Sequence, residues 1–255
     1  MIKLIRAELR KLFTTKLWLW LLLGACVLSG GSTALLIGFA DQAAASPQSG
    51  IPPVDSEAFS QLALAGGANA VIFLLILGII GMTQEYRHRT ATPTFLVTPK
   101  RGQVILSKLL TYLGISLVFA VVVNAVVVAV ALPWLSAKGA SVSLSGENIE
   151  VLLSSMGAAA LYGMVGVGVG ALLRNQVAAI VGSLVYLFVA EPILRSIPAT
   201  ASAYKYLPGG ALESITATVG TTDLLERWQG ALLLAAYGIV LAVLGWVFAV
   251  RRDIS

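Results

Sequence analysis

Long uncharged runs alternate with short polar segments along most of the chain. A helix that crosses the apolar core of a bilayer needs roughly 20 apolar residues, because each residue adds about 1.5 Å to a core about 30 Å thick. Six segments fit this length: residues 17–40, 58–82, 109–135, 151–173, 177–196 and 229–250. The pattern predicts an all-α integral membrane protein in which residues 1–255 form a single transmembrane domain with six transmembrane helices.

The fifth segment is the least regular, because its uncharged part ends at Ala190. We expect the helix to continue through Glu191 and Pro192 as far as Ser196, which restores a spanning length. Glu191 and Arg195 are four residues apart, a spacing at which a helix can pair opposite charges at its outer end.

An amphipathic pattern precedes the first span. The apolar residues recur at helical spacing and basic residues lie on a neighbouring face; the apolar set is Ile2, Ile5, Leu9, Leu12 and Phe13, and the basic set is Lys3, Arg6 and Arg10. A secretory signal is the alternative, but signal cores have roughly 7 to 15 residues and the first apolar run is far longer. We therefore predict an interfacial helix over residues 1–16, lying along the membrane surface.

Charge is divided unevenly between the two sides of the predicted membrane. With the N-terminus inside, 13 of the 17 basic residues lie on the inner side and nine of the 12 acidic residues on the outer side. The net charge of +5 then divides into about +10 inside and about −5 outside. Because basic residues favour the cytoplasmic side, both termini are expected in the cytoplasm and the protein in the cell membrane.

Composition excludes most soluble classes of protein. Hydrophobic residues make up 58% of the chain and charged residues 11%, too few to cover the outside of a soluble domain. The basic excess belongs to one membrane face, so we expect the lipid bilayer and not nucleic acid as its partner. Cys26 is the only cysteine, which leaves no disulfide framework or cysteine-built metal site.

No catalytic, cofactor-binding or metal-binding group of residues is predicted. The chain has one histidine, His88, and no G-x-x-x-x-G-K-[ST] phosphate loop, so it is not expected to bind ATP itself. No ionisable residue is evident at membrane depth, where an enzyme or a proton-coupled transporter would need one. Asn124, near the middle of the third span, is a candidate for a substrate pathway, although such an asparagine more often bonds to a neighbouring helix.

Small residues form a stripe on one face of the fourth span. Spacings of four, three and four residues align Ala159, Gly163, Gly166 and Gly170. Small side chains let two helix backbones approach closely, so this stripe predicts helix packing.

The inner segment 83–108 is more elaborate than a simple connection. It contains charged residues, an apolar centre at residues 95–97 and prolines at positions 93 and 99. One interpretation is a short helix framed by turns that docks on a soluble partner. The other is a basic loop held against anionic lipid headgroups, which accounts for the arginines but not for the apolar centre.

The outer segment 197–228 contains Leu207, Pro208 and two glycines, followed by an apolar stretch too short to cross the membrane. Two short helices that dip into the outer leaflet would fit this pattern. An ordinary outer loop packed on the helix ends fits it equally well.

Together these features resemble the membrane subunit of ATP-binding-cassette exporters of the type-2 permease family, and the resemblance covers essentially the whole chain. It lies in the order of an amphipathic helix, six spans, an elaborate inner segment and short outer helices. Locally it lies in Glu85-Tyr86-Arg87 with Thr90 to Thr94, in Thr98-Pro99-Lys100-Arg101, in Lys108, and in Leu207-Pro208-Gly209.

The resemblance implies a permease subunit that forms the pathway for export of an amphipathic or hydrophobic compound such as a drug, lipid or peptide. Its implied partners are two copies of a separate ATP-binding subunit, which hold ATP and Mg and hydrolyse the ATP, and a second permease subunit, identical or homologous. Segment 83–108 would be the coupling segment. Its implied contacts with the ATPase are Glu85, Tyr86, Arg87, Arg89, Thr94, Phe95, Lys100 and Arg101. A secondary transporter or channel that works alone is the alternative.

Overall fold

A computed structural model describes residues 1–44, 51–87, 101–140, 142–217 and 224–252 of the chain. In these ranges the protein is helical and contains no β-strand. The helices are α1 (Ile2–Phe13), α2 (Leu17–Gly38), α3 (Ala40–Ala44), α4 (Glu57–Leu64), α5 (Val71–Arg87), α6 (Arg101–Ala137), α7 (Glu147–Leu173), α8 (Gln176–Val185), α9 (Glu191–Ser196), α10 (Pro198–Tyr204), α11 (Pro208–Thr216) and α12 (Arg227–Arg252). A 3₁₀ segment (Ala65–Ala70) joins α4 to α5, and a π-helical segment (Tyr186–Ala190) joins α8 to α9.

Six of the helical stretches are long and apolar enough to cross a membrane. They are Leu17–Gly38, Glu57–Arg87, Gly102–Ala137, Glu147–Leu173, Gln176–Ser196 and Arg227–Phe248, here called the first to sixth spans. Within the described ranges the predicted all-helical architecture with six helices of spanning length is confirmed, and these helices are those of a multi-pass membrane protein.

The second and third spans are longer than the apolar pattern indicated. The second continues to Arg87 instead of ending near residue 82, and the third begins at Arg101 instead of near residue 109. Helix α6 alone has 37 residues, about 55 Å at 1.5 Å per residue, so it exceeds a bilayer core of about 30 Å. Residues 83–87 and 101–108 of the predicted coupling segment are therefore helical continuations of two spans.

Contacts between polar side chains place the helix ends at two opposite ends of the bundle. At one end Arg87 donates to Gln176 and Arg174 donates to the Gly245 carbonyl oxygen. Helix α1 packs at this same end, which we call the basic end. At the opposite end the pairs are Lys138 with Asp41, Gln61 with Glu147, and Arg227 with Glu150.

The fourth span is the central helix, and its glycines lie where other spans cross it. A β-carbon at Gly166 would collide with the Leu75 carbonyl oxygen of the second span, and one at Gly163 would collide with Ser116 of the third. Gly170 faces the Ile79 carbonyl oxygen at 3.0 Å from its would-be β-carbon, and Ala159 is fully buried. The predicted stripe therefore lies at the crossings with the second and third spans, where the backbones approach closely.

Replacing Gly166 with alanine should destabilise the bundle by about 1–3 kcal/mol, because the added methyl group has no space beside the second span. Gly157→Ala is the matched control, since it lies in the same helix and a β-carbon there meets nothing within 4 Å. Thermal unfolding in lipid nanodiscs measures both. Equal unfolding temperatures for the two variants would show that the close crossing is not a stability determinant.

Candidate functional site

Helix α1 is held against the basic end of the bundle by a cluster of four charged side chains, Glu8, Lys11, Glu85 and Lys108, called here the ion cluster. Glu8 and Lys11 come from α1, Glu85 from the end of α5, and Lys108 from the beginning of α6. The Lys108 ammonium lies 2.6 Å from a Glu8 carboxylate oxygen and 3.1 Å from Glu85. The Lys11 ammonium lies 2.8 Å from Glu8 and 2.6 Å from Glu85.

Lys108 is the most deeply buried member of the ion cluster, with none of its side chain exposed. Its ammonium also donates to the Gly81 carbonyl oxygen at 3.0 Å. An ammonium has three N–H donors, and the acceptors from Glu8, Glu85 and Gly81 account for all three. Two carboxylates and two ammonium groups make the cluster neutral, so the charges compensate one another in a region with little water.

Lys11 connects the ion cluster to solvent, since about 38% of its side chain is exposed. Burial alone would lower the pKa of Lys11, but the carboxylates of Glu8 and Glu85 outweigh it and raise the pKa above its ordinary value of 10.5. Because the folded pKa is raised, the contribution of Lys11 is fully present below pH 10.5 and is lost only as the pH rises past the folded value.

The residues expected to contact an ATPase subunit differ in their burial, and only some of them are among the described residues. Glu85 is buried and bound to Lys11 and Lys108, Tyr86 is half-buried, and Arg87 is exposed. Arg101 is the first residue of α6. The remaining ones lie outside the described residues: Arg89, Thr94, Phe95 and Lys100.

The sequence pattern did not reveal the ion cluster. In the sequence Lys108 directly precedes the third apolar run and Glu8 lies within the amphipathic segment, and neither position predicts that the two side chains meet. One signal was present, because opposite charges at residues 85 and 108 flank a segment between two spans. Pairing them with α1 requires knowing that α1 folds back against the bundle, and periodicity does not contain that information.

Asn124 lies in a helix contact and not on an open surface. Only about 1% of the residue is exposed. Its carboxamide nitrogen donates to the Ala120 carbonyl oxygen at 2.9 Å, and its oxygen accepts from the Ser155 hydroxyl at 2.8 Å. This side chain therefore bonds the third span to the fourth, as intramembrane asparagines commonly do.

A second polar group lies at the opposite end of the bundle, where helices α10 and α11 pack against the fourth, fifth and sixth spans. The Tyr162 hydroxyl donates to the Pro208 carbonyl oxygen at 3.0 Å, and the Tyr237 hydroxyl donates to the Tyr206 carbonyl oxygen at 2.8 Å. Tyr162 lies 15 residues beyond the start of α7, about 22 Å along the helix at 1.5 Å per residue. The beginning of α11 therefore lies deep in the bundle, far from the end of the fourth span at which α7 begins. This placement favours the interpretation of short helices that dip into the membrane.

Glu191 is a further buried ionisable group within the spans, besides Glu85 and Lys108 of the ion cluster. Only 4% of this residue is exposed, and its carboxylate accepts from the Gly209 amide near the beginning of α11 at 2.8 Å. The predicted pair with Arg195 is wrong, because the Arg195 guanidinium binds Glu213 at 3.0 Å. Spacing along one helix could not anticipate that α11 would return to supply the partner of Glu191.

Tyr204 stands beside this second group, in α10. Its hydroxyl donates to Glu213 at 3.0 Å, and the Arg195 guanidinium lies 5.1 Å from the centre of its ring. Burial and the neighbouring Glu213 carboxylate raise the pKa of Tyr204 to about 12, so the hydroxyl remains a neutral donor. These contacts attach α10 to the end of the fifth span and to α11.

An apolar cavity of about 460 Å³, open to the outside of the bundle, lies between the fifth span and the second, fourth and sixth spans. This volume is within the range of sites for small molecules, about 300–1,000 Å³. Its walls are formed by Leu75, Tyr162, Val165, Val169, Leu173, Gly182, Ser183, Tyr186, Leu187, Pro208, Tyr237 and Leu241. Across the described part of the chain, histidine, cysteine and acidic side chains form no group of three that could hold a metal ion.

Comparison of the chain with protein-family models, with curated proteins and with solved structures finds no match.

Replacing Lys108 with methionine should destabilise the protein by about 3–5 kcal/mol, because Glu8 and Glu85 lose a buried partner. Lys138→Met is the matched control at the opposite end, where the Asp41 partner is about 75% exposed, and should cost at most about 1 kcal/mol. Thermal unfolding and hydrogen exchange of residues 2–13 in nanodiscs report the two effects. If α1 exchanges no faster in Lys108→Met than in wild type, the ion cluster is not what holds α1.

Proposed function

We propose that this chain is the permease subunit of an ATP-binding-cassette transporter, and that it forms the pathway for ATP-driven export of an amphipathic or hydrophobic compound such as a drug, lipid or peptide. A separate subunit hydrolyses ATP. Two copies of that subunit, with their ATP and Mg, and a second permease subunit, identical or homologous, complete the assembly. In this assembly the basic end faces the cytoplasm of the cell.

The observation that supports this proposal best is the ion cluster beside the 88–100 segment. Glu85 lies two residues before Arg87, the last described residue ahead of that segment, and Lys108 lies seven residues after Arg101. Because Lys108 binds both Glu85 and Glu8, the adjoining ends of α5 and α6 and the helix α1 are tied into one unit. A partner that moves segment 88–100 therefore moves three helices together.

The packing of the spans provides a path for such a movement. The second span lies against the fourth at Gly166 without room for a methyl group, so a displacement of α5 must displace or rotate α7. The fourth span forms one wall of the apolar cavity, and the fifth span, most of which is exposed on the outside of the bundle, forms another. Motion entering at the basic end would thus change the shape of the cavity.

The proposal predicts that a cassette ATPase encoded beside this protein co-purifies with it and is released by charge reversal in the coupling segment. Arg87→Glu combined with Arg89→Glu should weaken binding of the ATPase at least about tenfold, since like charges would replace complementary ones. Affinity can be measured by titrating the ATPase onto the nanodisc-embedded protein. Arg227→Glu, at the opposite end, is the matched reversal and should leave the affinity unchanged.

Two results would contradict the proposal. One is that no adjacent cassette ATPase binds at micromolar concentration. The other is that binding and ATP-dependent transport in proteoliposomes survive the double reversal at Arg87 and Arg89.

A secondary transporter that works without ATP is the second candidate, and Glu191 is the observation that favours it. A carboxylate at membrane depth is energetically costly, so one that is present usually has a function. Proton-driven transporters commonly use such a carboxylate. This alternative predicts flux driven by a pH gradient in proteoliposomes that hold the chain alone, with loss of the flux in Glu191→Gln. Flux that requires ATP and a partner, and that ignores the pH gradient, would exclude it.

A further inference from the structure

The apolar cavity between the fourth, fifth and sixth spans has an aromatic side. Tyr162, Tyr186 and Tyr237 come from these three spans, one from each, and all line the cavity. The remaining walls are aliphatic, with Val165, Val169 and Leu241 among them. A ligand in this cavity would therefore meet aromatic rings on one side and an apolar surface on the other.

The buried Glu191 carboxylate lies behind the tyrosines of the cavity. It accepts from the Gly209 amide at 2.8 Å, next to Pro208 in the cavity wall, and from the hydroxyl of Tyr186, which also lines the cavity. Both of these donors are neutral, whereas the nearby Arg195 guanidinium is bound to Glu213. Because Arg195 pairs with Glu213, its guanidinium does not compensate the charge of Glu191 in the described part of the chain.

Aromatic rings and a buried carboxylate attract the same chemical class of ligand. Ring faces carry negative potential and hold quaternary ammonium groups, and the attraction increases when the cation is removed from water. A carboxylate in a region of low dielectric constant attracts a cation over several ångströms with little screening. An apolar cavity adds the requirement that the rest of the ligand be hydrophobic.

We propose that this cavity is a binding site for a lipophilic monovalent cation, one that places its charge between the three tyrosines and its apolar body against the aliphatic walls. Glu191 acts from behind Tyr186 as the counter-charge. This inference names the class of cargo, and in that sense it rests on the proposed function. Binding to the cavity itself needs neither ATP nor a partner, so the two proposals can fail separately.

The test uses two probes of nearly the same shape and opposite charge, tetraphenylphosphonium and tetraphenylborate. Each radiolabelled probe is titrated onto the full chain in nanodiscs of neutral lipid, and binding to empty nanodiscs is subtracted. We expect saturable binding of tetraphenylphosphonium and at least about tenfold weaker binding of tetraphenylborate, a difference of 1.4 kcal/mol. Equal binding of the two probes, or no saturable binding of the cation, would overturn the proposal.

Substitution of Glu191 tests the role of its charge. Glu191→Gln keeps an oxygen that can accept from the Gly209 amide, and it should weaken tetraphenylphosphonium binding about tenfold without weakening tetraphenylborate binding. Glu150→Gln is the matched control, because its carboxylate is exposed and pairs with Arg227 at the same end of the bundle. Cation binding that is unchanged in Glu191→Gln would refute the counter-charge.

Substitutions at two further positions in the cavity, Gly182 and Tyr237, keep the proposal testable if Glu191→Gln does not fold. Gly182 lines the cavity and a β-carbon there meets nothing within 4 Å, so Gly182→Leu should fill the cavity and weaken cation binding. Gly31→Leu in the first span is its control, since a β-carbon at Gly31 also meets nothing within 4 Å. Tyr237→Phe should retain most of the binding and Tyr237→Leu should lose it, because only the former keeps a ring.

The combination of results separates this proposal from the proposed function. Cation binding that depends on Glu191 and Gly182, in a protein that recruits no ATPase, would support the site and refute the permease. ATPase recruitment with cation binding that is indifferent to Glu191, Gly182 and Tyr237 would do the reverse.

Discussion

The compensation of buried charge at the basic end is the constraint on which the rest of the structure depends. Lys108 is fully buried within the first turns of a spanning helix, where an ammonium group without partners would be strongly unfavourable. Glu85 and Glu8 reach it from two other helices and compensate its charge. The same requirement holds α1 against the bundle, since Glu8 of α1 supplies one of the two carboxylates that compensate Lys108.

Close backbone packing around the fourth span complements this electrostatic constraint. The ion cluster joins the second and third spans at one end, and the glycines of α7 bring the second, third and sixth spans close to its axis. These four helices form a tightly packed group. The fifth span lies on the outside of this group with few buried residues, and the apolar cavity lies along their boundary.

The opposite end of the bundle is organised by hydrogen bonds to backbone groups. Tyr162, Tyr237 and Glu191 project from three spans and bind the polypeptide between Tyr206 and Gly209. A helix that begins inside a bundle leaves its first amide groups without partners in an apolar surrounding, and Glu191 accepts from one of them at Gly209. The two tyrosines donate to carbonyl oxygens at and just before the beginning of the helix. A buried carboxylate is therefore tolerated at this depth because it also stabilises the beginning of α11.

The six spanning helices were predictable from the sequence because apolar runs of about 20 residues are required by the bilayer itself and need no tertiary information. The continuation of the fifth helix through Pro192 and the small-residue face of the fourth were also legible in local spacing. The ends of the second and third spans were not, because charged residues at 85, 87, 101 and 108 normally mark a helix end, and here Glu85 and Lys108 are neutralised by each other and by α1. The partners of Glu191 and Arg195 were also missed, because they lie in α11, and local spacing does not predict that α11 packs against the end of the fifth span. Local periodicity determined which segments are helices. The tertiary structure alone decided which buried charges meet, because the paired residues are far apart in the sequence. Lys11 and Glu85 are more than 70 positions apart, and Glu8 and Lys108 are 100 positions apart.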